Sequence, residues 1–446
     1  MDGLRQIGRR DAIRGALALA TSLALPSIAR AQTAGRVVVI GGGFGGTACA
    51  RTLKRLDGKL RVTLVEPNRV FTACPFSNEV IAGLRDISAQ RFGYDKIAAA
   101  GINVVAQAAA KVDPQGHRVT LADGSTLAYD RLVLAPGIEV RFDVLSGYDE
   151  AAAQKMPHAW QAGEQTLLLR RQIEAMEDGG VVAIAVPANP SRCPPAPYER
   201  ASLIAHYLKQ RKPRSKVLIL DAKDNFSQQR LFEQAWHELY GGMIERVSLS
   251  DGGRVTAVDP TTNTIVTEFG DHVAQVANII PPQRAGRIAQ IAGAADKTGW
   301  CPIDPMTFAS KLLPDVHVIG DACLGGGIPK SAAAASAQGK ACARAIVNHL
   351  AGKAPETPRL TGICYDTVAP GYAFSLAGQY EPKDDIFAEV EGGGTSALDA
   401  PHEVRAREAE SAESWYRTIT EETFGEPATR PAPFHACLYP HHGGEG

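Results

Sequence analysis

Short continuous apolar runs recur along the chain, each bounded by glycines or polar turns, and the stretches between them carry helical spacing. Arg36-Val-Val-Val-Ile40 is the first run, followed by Gly41-Gly42-Gly43-Phe44-Gly45-Gly46 and a small-residue helix start. Leu60 to Glu66 (LRVTLVE) is the second. Runs without period-two alternation predict strands buried on both faces, and strand alternating with helix predicts parallel sheets. Asn103 to Ala108, Val119 to Leu121 and Leu132 to Leu134 continue the β pattern. A second α/β unit opens near Gly180 with Val181 to Val186, a helix from about Tyr198 to Lys209 and a strand from Val217 to Leu220. Val316 to Ile319 is a late buried strand ending in Gly320-Asp321, and beyond Gly352 the composition shifts to Pro, Glu and mixed β signals.

The first turn carries chemistry. Gly41, Gly43 and Gly46 form G-x-G-x-x-G with a strand before it and a helix after it. The first glycine permits the tight turn, the second lets the backbone approach a pyrophosphate, and the third lets helix and strand pack closely. The phosphates then meet free N–H groups at a helix N-terminus. Glu66 lies 20 residues beyond Gly46, at the end of the second strand, where an acid bonds ribose hydroxyls. In the second unit the corresponding turn reads Pro187-Ala-Asn-Pro-Ser-Arg-Cys193-Pro-Pro-Ala-Pro197. Prolines supply no N–H donors, so this unit is expected to keep its fold without binding a nicotinamide nucleotide.

Composition narrows the setting. With 45% apolar and 21% charged residues and a net charge of −1, the 446-residue chain suits two or three globular domains. No basic stripe points to nucleic acid, and no segment is apolar for long enough to span a membrane. Residues 1–31 read as a leader: Arg9-Arg10, a mildly apolar run from Ala16 to Leu25, and Ala29-Arg30-Ala31 as a cleavage site. The paired arginines fit a twin-arginine signal, an ordinary secretory signal being the alternative, and both place the mature protein in the periplasm. The eight cysteines follow no zinc spacing and include no C-x-x-C-H, so neither a metal site nor a haem is expected on this chain. His435, Cys437, His441 and His442 fall in a tail expected to be disordered over 427–446.

Several motifs together resemble the flavoprotein subunit of flavocytochrome c sulfide dehydrogenase, a relative of sulfide:quinone oxidoreductases. They are Ala73-Cys74-Pro75 with Ser77-Asn78-Glu79, Arg192-Cys193-Pro-Pro-Ala-Pro-Tyr198-Glu199-Arg200, Pro281-Pro-Gln-Arg-Ala-Gly286, Gly299-Trp300-Cys301-Pro302, Gly320-Asp321-Ala322-Cys323 and Cys364-Tyr365. Ser414-Trp415-Tyr416 and Thr423-Phe424-Gly425 fit too. The resemblance implies an α/β, glutathione-reductase-like fold. Its FAD domain is formed by residues 35–146 and 280–352, its second Rossmann-like domain by 147–279, and its C-terminal α+β interface domain by 353–426. It implies FAD, with Ala135 and Gly137 of Ala135-Pro136-Gly137 beside the cofactor, Asp321 at its ribityl chain, and Cys74 as its covalent attachment. A plain turn aspartate and a free buried cysteine are the alternatives for these last two.

It further implies a redox disulfide between Cys193 and Cys364, sulfide as substrate, and a c-type cytochrome subunit as electron acceptor. Glu199 becomes an acid/base for the sulfur proton, against the alternative of a solvated glutamate in a helix's first turn. A sulfide:quinone oxidoreductase and a flavin-bearing accessory subunit are the competing functions. Cys301 and Cys323 are expected at strand ends, and Cys49 and Cys342 inside small-residue helices.

Overall fold

In the computed structural model, which describes residues 35–429, the apolar runs become the inner strands of two parallel sheets. β1 (Arg36–Ile40) passes through the glycine turn into α1 (Phe44–Leu56) and returns as β2 (Arg61–Val65). α2 (Ser77–Ile81), β3 (Asn103–Val105) and β4 (Arg131–Leu134) follow. The next unit contains α3 (Glu164–Ala175), β5 (Val181–Val186), α4 (Ala196–Arg211) and β6 (Lys216–Asp221). It closes with α5 (Gln229–Tyr240), β7 (Ile244–Val247) and β8 (Val276–Ile279). The chain then re-enters the first unit with β9 (Val316–Val318) and α6 (Ala332–Leu350). It ends in an antiparallel meander, β10 (Leu360–Ala369), β11 (Tyr372–Lys383) and β12 (Ile386–Thr395), followed by α7 (His402–Phe424).

The first sheet has the order β9-β4-β1-β2-β3 and the second β7-β6-β5-β8, with every neighbouring pair parallel. Val37 to Val39 and Val182 to Ile184 are buried throughout, as strands covered on both faces must be. α1 and α6 meet through small residues, Gly45 against Gly339, and Cys49 and Cys342 are fully buried within these helices. The meander joins the second unit through Phe374, which meets Phe232 edge-on at 4.8 Å. α7 buries Tyr416, Ile419 and Phe424 against the first unit, where Phe424 packs 5.5 Å from Phe44. No helix among the described residues is long and apolar enough to cross a membrane.

Two expectations need correction. Pro427 begins the stretch assigned to a disordered tail, yet Ala428 is 2% exposed, its amide donates to Thr420 Oγ1 at 2.8 Å, and its carbonyl accepts Arg417 Nη1 at 2.8 Å. Composition overlooked that α7 offers a partner to each of these backbone groups. Cys193, whose place after the apolar run Val181 to Val186 reads as the C-terminal end of a strand, lies in the loop beyond β5, because the proline run cannot continue a hydrogen-bonded ladder. Cys301 and Cys323 are Cα partners in a two-residue parallel pairing. The leader at 1–31 and the tail residues His435, Cys437, His441 and His442 lie outside the described residues.

Candidate functional site

One cavity of about 580 Å³ runs from the glycine turn to the domain junction, within the usual range of small-molecule sites. Gly41, Gly43, Glu66, Cys74, Ala135, Gly137, Cys193, Glu199, Asp321 and Cys364 all line it, so the structure gathers these sequence candidates around one space. Gly46 lies behind the turn and does not line it.

The turn follows from sterics. Gly41 has φ +108°, a conformation side chains avoid, and a Cβ there would stand 2.2 Å from the Ala135 carbonyl oxygen. A Cβ on Gly46 would stand 1.9 Å from the Gly41 oxygen, which is why helix and turn can approach only with glycine there. Gly43 is the residue preceding α1 and borders the cavity without such a clash. Glu66 Oε2 accepts the Gly42 amide at 2.9 Å, so the acid braces the turn as well as bordering the cavity. Ala135 donates its amide to Ile40 O at 2.8 Å, and Gly137 O accepts the Gly286 amide at 2.9 Å, tying the two segments of the first unit together.

Two buried polar atoms lack a partner among the described residues and border the cavity: Asp321 Oδ1, an acceptor, and Trp160 Nε1, a donor. Burial holds the Asp321 carboxyl above the usual carboxylate range, with Arg192 and Lys330 opposing the shift. Unsatisfied buried polar atoms are costly, so a ligand bearing hydroxyl and carbonyl groups belongs against them. With the glycine turn for phosphates, Glu66 for ribose and Asp321 for a polyol chain, the residues present fit FAD. Cys74, in the loop after the ribose acid, borders the same space, and its carbonyl accepts the Ser77 amide at 3.0 Å.

The second unit lacks a comparable cradle. Asp221 ends β6, the position Glu66 holds after β2, but it is fully buried and spent on internal partners. Tyr198 Oη donates to its Oδ2 at 2.6 Å, Arg246 Nε to the same oxygen at 2.9 Å, and Lys223 Nζ to Oδ1 at 2.9 Å.

At the far end of the cavity Cys193, with φ +47°, anchors its amide on Lys330 O at 2.9 Å, and Cys364 projects from β10. Both are free thiols. Burial pushes Cys193 well above an ordinary thiol, and the neighbouring Cys364 adds to the shift as a second negative charge would. Burial pushes Cys364 up to about 12, with Asp366 and Glu199 adding to it.

Glu199 is no solvated glutamate. Its Oε1 accepts the Thr367 amide at 3.0 Å and its Oε2 accepts Asn78 Nδ2 at 2.6 Å, while burial raises its carboxyl to about 7. Arg200, 2% exposed, locks this corner by donating to Asn78 Oδ1 at 3.0 Å, Asn278 Oδ1 at 2.7 Å and Ala159 O at 2.7 Å. Sequence reasoning gave no role to Asn78, Arg200, Trp160 or Asp366, the first two appearing only within the motifs of the resemblance. A charged residue opening the otherwise apolar run Arg200-Ala-Ser-Leu-Ile-Ala205 was the available signal for one of them.

Comparisons with known proteins point to one family. Residues 166–281 match the family described as "Sulfide dehydrogenase (flavocytochrome c) flavoprotein chain, central", and residues 356–424 match "Flavocytochrome c sulphide dehydrogenase, flavin-binding". Residues 35–172 match "Pyridine nucleotide-disulphide oxidoreductase". The chain is 60% identical over 45 residues to the sulfide dehydrogenase (flavocytochrome c) flavoprotein chain of Chlorobaculum thiosulfatiphilum, covering 10% of this chain and 94% of that sequence. It is 25% identical over 312 residues to the mitochondrial sulfide:quinone oxidoreductase of Mus musculus, 68% of each chain. The solved sulfide:quinone oxidoreductase of Aquifex aeolicus superposes with a TM-score of 0.70 at 20% identity, over 89% of this chain and 93% of that one, which shows the shared fold.

Proposed function

Because the chain belongs to the flavoprotein-chain family of flavocytochrome c sulfide dehydrogenase, we propose that it oxidises sulfide at a Cys193–Cys364 disulfide and hands the electrons to a separate c-type cytochrome. The family makes it a FAD-dependent oxidoreductase acting on sulfide. The observation that carries the finer reading is that both thiols border the cavity whose other end is the dinucleotide cradle.

In the oxidised form, hydrosulfide attacks one sulfur of the disulfide. The Cys–Cys bond breaks, a new sulfur–sulfur bond forms, and the products are a persulfide on one cysteine and a thiolate on the other. The persulfide proton passes to the Glu199 carboxylate. The thiolate is left in a buried, poorly solvated pocket, which keeps its electron pair at high energy. When bound, FAD would accept two electrons as the thiolate and the persulfide-bearing cysteine re-form their disulfide and the outer sulfur leaves oxidised by two electrons, and it would pass those electrons on singly. Cys74 would hold the cofactor through a thioether to the flavin 8α carbon, and its place on the cavity wall supports this. Arg9-Arg10 and Ala29-Arg30-Ala31 support export to the periplasm, where a c-type cytochrome would be met.

A quinone acceptor is the second reading, favoured by likeness to sulfide:quinone oxidoreductases over 68% of the chain. The test is Cys193→Ser, assayed for sulfide-dependent reduction of cytochrome c and of a soluble quinone. Wild type should reduce cytochrome c and the variant should lose at least a hundredfold in rate. An unchanged rate removes the disulfide chemistry, and reduction of quinone alone replaces the acceptor.

A further inference from the structure

A second carboxyl stands beside the two thiols. Asp366 lies two residues beyond Cys364 on β10, so both side chains leave the same face of the strand. It is 2% exposed and borders the same cavity as Cys193, Cys364 and Glu199. Gln228 Nε2, at the start of α5, donates to its Oδ2 at 2.8 Å. Glu199, from α4, bonds the amide of the next residue, Thr367, at 3.0 Å, which brings the two carboxyls together.

Among the described residues neither makes an ion pair. The groups facing them are Cys193 from the loop before α4, Cys364 from the same strand, Gln228 from α5, and Arg192 and Arg200, whose charges act on Cys193 and Glu199. Arg200 is already committed to Asn78, Asn278 and the His158 and Ala159 carbonyls. No cation acts on Asp366, and two desolvated carboxyls so placed cannot both ionise near neutrality.

We propose that Glu199 and Asp366 form a carboxyl pair sharing one proton at neutral pH, with Asp366 the member that keeps it. Asp366 then acts through its neighbours, as a positioning residue for proton and charge. Burial, reinforced by the charge of Glu199, lifts Asp366 well above the usual range, whereas Glu199 titrates at about 7. As pH rises past neutrality Glu199 gives up its proton first and becomes the base, while Asp366 remains a neutral acid. Each thiol is harder to ionise when Asp366 is charged, so a neutral Asp366 eases thiolate formation at the disulfide. That use of the pair during sulfide attack rests on the sulfide reading above. The shared proton does not.

The test uses the full flavin-loaded protein, wild type against Asp366→Asn, with Asp366→Ser as a second variant should the first not fold. At about pH 9, infrared difference spectra should show the carbonyl stretch of a protonated carboxylic acid in wild type that the variant lacks. After reduction of the protein with a dithiol, the pH midpoint for alkylation of the Cys193 and Cys364 thiols should be unchanged in the variant, because the carboxyl it replaces is already neutral. An identical carboxyl band in wild type and variant, or a midpoint that falls in the variant, overturns the proposal. Failure of the sulfide reading looks different: both readouts persist while wild type does not react with sulfide.

Discussion

Glu199→Gln should change the stability of this protein in opposite directions at acid and alkaline pH. Burial raises the Glu199 carboxyl from 4.5 to about 7 in the folded chain. Between those values the folded state binds more protons at this position than the unfolded state, so stability falls as pH rises through the window. At ~1.4 kcal/mol for each pH unit, the full penalty at pH 8 is ~3 kcal/mol, of which about 2.5 kcal/mol develops between pH 5 and pH 8. Glutamine removes that penalty but turns an NH2 toward a donor, either the Thr367 amide or Asn78 Nδ2. Asn78 cannot rotate to relieve this, because its Oδ1 holds Arg200 Nε at 3.0 Å. The mismatch costs about 2 kcal/mol at every pH. The variant should therefore be less stable than wild type by ~1–2 kcal/mol at pH 5 and more stable by about 1 kcal/mol at pH 8. Urea unfolding of both proteins at a series of pH values reads this directly, since groups that do not interact with Glu199 cancel in the difference. Parallel stability curves would mean that Glu199 is hydrated, and the acid/base role built on its burial would go with them.

Gly46→Ala should abolish flavin binding, because the new methyl would stand 1.9 Å from the Gly41 oxygen and the turn would have to open. The flavin-to-protein absorbance ratio measures this, and a normal ratio would contradict the cradle. Arg85→Met should cost about 3–5 kcal/mol at pH 8, since Arg85 Nε pairs with Glu79 Oε2 at 2.9 Å and its Nη2 with Glu413, both of which would be stranded. Glu79 titrates at about 7, chiefly through burial, so the loss should shrink at pH 6, and urea unfolding at the two pH values checks it. Cys74→Ser should still bind flavin but release it on acid precipitation, whereas wild type should give a yellow pellet; colour in both pellets would place the attachment elsewhere.

What could be read from the sequence was whatever chemistry repeats over a short span. The glycine turn, its flanking strand and helix, and Glu66 all fall within the segment from Arg36 to Glu66, and their roles follow from local sterics. Cys193 and Cys364 were named through resemblance; nothing in their spacing says that an interdomain cavity joins them. Asn78 and Arg200 stood within motifs that carry the resemblance but with no role assigned, and Asp366 left no signal. Each is an ordinary polar residue on its own element, and its role exists only once α4 is packed between α2 and β10. Asp366 in particular reads as one acid in a mixed strand until the register places it on the face of Cys364.

The second unit shows how far an absence in the sequence can be carried. The missing glycines argue against a pyrophosphate cradle there, but they do not say how the rest of the site is built. Tyr198, Lys223 and Arg246 occupy Asp221 completely, and the Tyr198 ring stacks on Phe226 at 3.6 Å, so the ribose acid has become a buried structural anion. The same loop, whose prolines supply no N–H donors, carries Cys193, in the left-handed region at φ +47° and with its amide fixed to Lys330. Restoring a glycine turn by replacing Pro187 to Pro197 would therefore not recover nucleotide binding. It would leave Asp221 spent on its three partners while releasing Cys193 from the cavity it shares with Cys364. The two changes, filling the nucleotide site and fixing a thiol beside the flavin cradle, are linked through one loop.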